Sequence, residues 1–117
     1  MPTIALAMPI PPGRYETWRA TVTSFAGARR AEYDASRRRL GVRRSTSWVQ
    51  QTPQGPIEIL LVEAADPARF FAGLATSQEP FDVEFRAFIH EVYGIDLSQP
   101  TQAPLPELVL DWWADDR

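Results

Sequence analysis

The sequence predicts one α+β domain, and three observations carry that prediction. Ile4, Leu6, Met8 and Ile10 alternate with Ala5, Ala7 and Pro9, turn at Pro11-Pro12-Gly13, and lead into a run where Trp18, Val22 and Phe25 recur at helical spacing. Two strand-like segments flank Thr52-Pro53-Gln54-Gly55, whose Pro and Gly positions suit a type I turn. Asp66-Pro67 and Pro80 then open two further helical patterns.

Taken in order, Thr3–Met8 is the first strand. Its Ile4/Leu6/Met8 face and its Ala5/Ala7 face both read as buried. The first helix spans Tyr15–Leu40 and stops at Gly41, a residue suited to the left-handed position after a helix. Its length predicts a kink near Gly27. Ser45–Thr52 and Ile57–Glu63 form a hairpin. Asp66 caps a short helix whose apolar face is Phe70, Phe71 and Leu74, and the helix from Pro80 ends at Gly94. Ser98–Pro106 is a Pro-rich extended connection, and Leu108–Trp113 is the last strand. The order is β-α-β-β-α-α-β. With the two shorter helices counted as one crossover, it is the split βαβ arrangement of a ferredoxin-like domain with a four-stranded antiparallel sheet.

Composition narrows the chemistry. A chain of 117 residues suits one domain, and its apolar fraction of 44% is that of a globular protein. All 12 basic residues are Arg, so a Lys base or Schiff base is excluded. There is no Cys and one His, which excludes thiolate catalysis and Cys-based metal sites. The net charge of −3 argues against nucleic acid as a partner. No stretch approaches a membrane span and no signal peptide pattern opens the chain, so a cytoplasmic location is expected. No Gly-rich phosphate loop, nucleophile elbow or metal-ligand spacing calls for a cofactor.

The strand ending in Ile10-Pro11-Pro12-Gly13, the helix with Glu16, Trp18 and Phe25, the central hairpin and the terminal Leu108–Trp112 segment together resemble the dimeric α+β barrel superfamily. That superfamily includes the antibiotic-biosynthesis monooxygenases and the stress-responsive barrel proteins. The resemblance implies a homodimer in which two four-stranded sheets close into one barrel, with a cleft in each subunit between sheet and helices. The third strand agrees on one point: Ile57, Ile59 and Leu61 on one face and Leu60 and Val62 on the other need cover on both sides. Haem-degrading members rely on an inward Asn and a haem-ligating His. This chain has no Asn, and His90 lies opposite Phe81 on its helix, facing solvent.

Within the expected cleft, Arg29, Tyr33 and Ser36 continue the stripe of Trp18, Val22 and Phe25 on the long helix. Arg29 would hold an anion with Tyr33 bonding it; otherwise it pairs with a carboxylate such as Asp111 or Glu63, or the helix end overhangs into water. Trp48 and Gln50 share one face of the second strand and Ser47, Val49 and Gln51 the other, and either face could line the cleft; Trp48 and Gln50 would offer a stacking surface and an amide, unless that end of the hairpin is exposed. Asp111, an acid in an apolar strand, is a candidate general base or the partner of Arg29. The Arg37, Arg38, Arg39, Arg43 and Arg44 cluster could bind phosphate or RNA, but the stronger reading is cations at a helix C-terminus, with Asp34 placed to pair with Arg38.

Three functions follow as expectations. The first is a small-molecule-binding barrel protein whose cleft is lined by Arg29, Tyr33, Trp48, Gln50 and Asp111. The second is an enzyme at that cleft, like the cofactor-independent monooxygenases or isomerases of the superfamily, with Asp111 removing a proton and Arg29 stabilising the enolate. The third is a protein that only assembles and takes no ligand.

Overall fold

The structure, a computed structural model, describes residues 2–99 and 105–115. It is an α+β domain with strands β1 (Thr3–Pro9), β2 (Val42–Thr52) and β3 (Gly55–Ala64) and helices α1 (Tyr15–Phe25), α2 (Arg30–Arg39), α3 (Pro67–Thr76) and α4 (Pro80–Tyr93). The antiparallel sheet has the order β1-β3-β2. The hairpin partner β3 therefore lies between the two strands that the α1–α2 crossover joins.

Alternation along each strand sorts residues between two faces. The register pairs Ile4 with Val62, Leu6 with Leu60 and Met8 with Glu58 on one side of β3, and Ser45 with Val62, Ser47 with Leu60 and Val49 with Glu58 on the other. All of these side chains share the face that the helices cover. The opposite face carries Ala5, Ala7, Trp48, Ile59 and Leu61, and none of the described helices packs there. Two apolar clusters fill the space between sheet and helices. One joins Ile10 and Trp18 to Phe25, Phe81, Phe88 and Val92, and the other joins Ile4, Val62 and Ala64 to Phe70 and Leu74.

The long first helix is two helices. It breaks at Ala26–Arg29, around the Gly27 where a kink was expected. Thr23 and Ser24 donate their hydroxyls back to carbonyls of the preceding turn, at Arg19, Ala20 and Thr21, which competes with the helical ladder. The Ser24 carbonyl then accepts from both Gly27 and Arg29, closing the first helix. Asp66 caps α3 as its sequence predicts, its carboxylate accepting from the Arg69 N–H at 3.2 Å. The α4 helix ends at Gly94 with φ of 70°, a conformation that glycine adopts without strain.

Among the described residues the fourth strand is not formed. Residues 105–115 have no regular structure, and Val109 and Leu110 are 87% and 81% exposed. The near-continuous apolar run of Leu108–Trp113 is suited to burial, but it does not supply a strand edge to pair with, and among the described residues nothing pairs with the outer edge of β1. Of the Ser98–Pro106 connection, residues 100–104 lie outside those described. Among the described residues no helix is long and apolar enough to cross a membrane.

One buried polar junction ties the helices together. Asp82, fully buried on α4, accepts from the Ser36 hydroxyl of α2, from Ser77 at 2.6 Å and from Arg39 at 3.2 Å. Burial raises the pKa of this carboxyl, but the three donors outweigh it, and the net result lies below the ordinary Asp value. Its contribution to stability is therefore complete above about pH 4, the unfolded-state range, and is lost as pH falls through the lower folded value. Asp82→Ala should lower the unfolding free energy by about 3 kcal/mol at neutral pH. Urea denaturation between pH 2.5 and 7 checks both points: the variant should start less stable and lose less on acidification.

Candidate functional site

A cavity of about 310 Å³ lies between the helix-covered face of the sheet and the helices. Its walls are mostly apolar, with Leu6, Leu60 and Val62 from the sheet and Phe25, Phe85 and Phe88 from the helices. Such a space suits a small organic ligand. Polar groups enter it at two places, one through α2 and one through β3.

At the first, Arg37 projects inward from α2 and is only 8% exposed. Its guanidinium carbon lies 4.6 Å from the Tyr33 ring centre and 4.3 Å from that of Phe85, so the cation is held between two aromatic rings. One nitrogen donates to the Ser36 hydroxyl at 3.1 Å. No carboxylate among the described residues forms an ion pair with Arg37; Asp82 reaches it only through Ser36 and is itself paired with Arg39. Every fully buried side-chain nitrogen or oxygen among the described residues has a hydrogen-bond partner, so the Arg37 nitrogens that make no hydrogen bond keep some accessible surface. Beside it, the hydroxyls of Tyr33 and Ser45 are 2.9 Å apart and share a hydrogen bond.

At the second, Glu58 of β3 is 6% exposed. Its Oε1 accepts from the Trp18 indole N–H at 3.1 Å and from the Tyr93 hydroxyl at 2.7 Å, while Oε2 accepts from the Ser47 hydroxyl at 2.7 Å. All three donors are neutral, and no Arg or His among the described residues forms an ion pair with this carboxylate. Burial, then the hydrogen bond and charge of Glu58, push the Tyr93 phenol far above its ordinary pKa, so it stays a donor throughout the working pH range.

Of the residues that the sequence pointed to, Tyr33 alone lines this cavity. Arg29 sits in the break between α1 and α2, on the rim of a shallower hollow of about 390 Å³ between α1 and α4. There it pairs with Glu32 at 2.8 Å and with Glu84, and lies over the Phe81 ring. Hydrogen bonds to these two carboxylates raise the Arg29 pKa further, so the guanidinium is spoken for by its own chain. Trp48 and Gln50 point away from the helices, opposite Ile59 and Ile57 on the uncovered face. Asp111 is exposed in the irregular C-terminal segment, does not line the cavity, and is not among the carboxylates paired with Arg29. The cleft imagined from Arg29, Trp48, Gln50 and Asp111 is thus not assembled, because the helix break changes the phase of the stripe and strand alternation sends Trp48 and Gln50 outward.

Arg37, Glu58, Ser45 and Tyr93 were missed as site residues, and Ser47 lies on the alternative face of β2. The signal for Glu58 was present: it is two residues before Leu60 and four before Val62, so period-two alternation sets it on the core-facing side. Arg37 stands four residues after Tyr33 and shares its face, but within a run of three arginines it read as a solvated helix end. Among the described residues no group of three His, Cys, Asp or Glu side chains converges on a metal site.

No family model, curated protein or solved structure matches the chain. Site chemistry therefore rests on the geometry. Tyr93→Phe removes one neutral donor from a buried carboxylate and should cost about 2 kcal/mol of stability, measurable by denaturant titration. A loss below about 0.5 kcal/mol would show that Glu58 does not depend on this bond.

Proposed function

We propose that this protein binds a small organic anion in the cavity between helices and sheet, with Arg37 as its anchor. The observation that carries the reading is a buried guanidinium stacked between two rings, without a carboxylate of its own, opening onto an apolar cavity. An unpaired buried charge is costly, and a carboxylate entering the cavity would offset that cost while its apolar part meets Leu60, Phe85 and their neighbours. Tyr33 and Ser45 supply hydroxyls beside the anchor. This keeps the expectation of a small-molecule site between the first helical region and the sheet, and moves the anchor from Arg29 to Arg37.

The uncovered face of the sheet supports a second part of the reading, a homodimer of ferredoxin-like subunits in the manner of the dimeric α+β barrels. Ala5, Ala7, Ile59 and Leu61 need cover, β1 has an open edge, and the exposed Leu108–Leu110 segment has the apolar character of a missing strand. Sedimentation velocity at micromolar concentration tests it; a monomer would remove the barrel.

Isothermal titration with hexanoate, a carboxylate on an apolar chain, tests the anion site. Arg37→Met should weaken binding at least tenfold, while Arg29→Ala should leave it within about twofold. The same Arg37→Met protein should be as stable as the parent or more stable by about 1 kcal/mol, because it removes a buried charge and keeps an unbranched apolar stem. A loss of more than about 2 kcal/mol would assign Arg37 a structural role instead.

A further inference from the structure

Two opposite charges stand in the walls of one cavity, each more than nine-tenths buried and each without a counterion among the described residues. Arg37 and Glu58 do not meet. The first neighbours Tyr33, which bonds Ser45; the second bonds Ser47. Ser45 and Ser47 are alternate residues on the same face of β2, roughly 7 Å apart along the strand, so the two polar places meet neighbouring positions of one strand face.

Three neutral donors orient the Glu58 carboxylate but leave its charge uncompensated. They also leave it room. Oε1 takes two hydrogen bonds and Oε2 only one, while a carboxylate has about four acceptor positions in all. Arg37 likewise keeps N–H donors beyond the one given to Ser36. The polar needs of the cavity are thus an anion at one end and a cationic donor at the other, with apolar chain between.

We propose, building on the anion site above, that the ligand is a small zwitterion, an amino carboxylate that sets its carboxylate on Arg37 and its ammonium on Glu58 across an apolar spacer. The apolar character of the spacer follows from the cavity lining shared by the two groups. An ammonium without Glu58 would be stripped of water in an apolar cavity and would weaken binding, so the sign of its effect is diagnostic.

The test compares 6-aminohexanoate with hexanoate by isothermal titration on the full chain. The two share the carboxylate and the carbon chain and differ in the terminal ammonium. The wild-type protein should bind 6-aminohexanoate at least tenfold tighter, and Glu58→Gln should cut that preference to less than threefold while hexanoate affinity changes little. The wild-type comparison decides even where the variant fails to fold. Equal or weaker binding of 6-aminohexanoate would overturn the zwitterion and leave the anion site standing. A preference that survives in folded Glu58→Gln would overturn Glu58 as the ammonium site. Failure of both probes to bind would overturn the anion site, and the zwitterion with it.

Discussion

The Glu58 carboxylate is the point on which the arrangement of this domain turns. It sits on the central strand β3, and its three donors come from α1, β2 and α4. A buried carboxylate must be hydrogen-bonded, and once it is, each donor is held at a fixed place. Trp18 sets the angle of α1 against the sheet, Tyr93 draws in the end of α4, and Ser47 locks the side-chain layer of the hairpin. Apolar packing around Phe25, Phe81 and Phe88 supplies most of the driving force, but apolar contacts are adaptable and do not by themselves fix which helix lies where.

The same network explains why a cavity persists beside a well-packed core. Small hydroxyl residues, Ser45 and Ser47, occupy positions on β2 where larger apolar side chains would have filled the space between Leu60, Val62 and the helices. Across from them the aromatic rings of Tyr33 and Phe85 are engaged with the Arg37 guanidinium and are not free to collapse inward. The domain thus gives up close packing, which most proteins of this size need for stability, in the region where its two uncompensated charges lie.

Much of the fold was legible in the sequence because it rests on local signals. The Pro-Gly turn of the hairpin, the Asp66 cap, the Gly94 stop and the weak point at Gly27 are each written in two to four neighbouring residues. The site was less legible for the opposite reason. Assigning Arg29 to the interior assumed one continuous helix, and a break of four residues was enough to hand its place to Arg37. Trp48 and Gln50 were correctly grouped on one face, but nothing in β2 alone says which face the helices cover; the pairing with β3 decides it. The Leu108–Trp113 segment has strand composition without a strand, since pairing depends on an edge that a single segment cannot specify.

Trp18 gives the molecule an optical consequence. Its indole is 3% exposed and bonded to a buried carboxylate that lines the cavity, whereas Trp48 and Trp112 are 49% and 76% exposed. The chain therefore carries two spectroscopic classes of tryptophan. One is shielded from aqueous quenchers and sits one hydrogen bond from the cavity wall. The other, on the bare sheet face and the C-terminal segment, is open to collision with the solvent. Events inside the cavity and events on the uncovered face thus report through different parts of the same emission spectrum, without any label being attached.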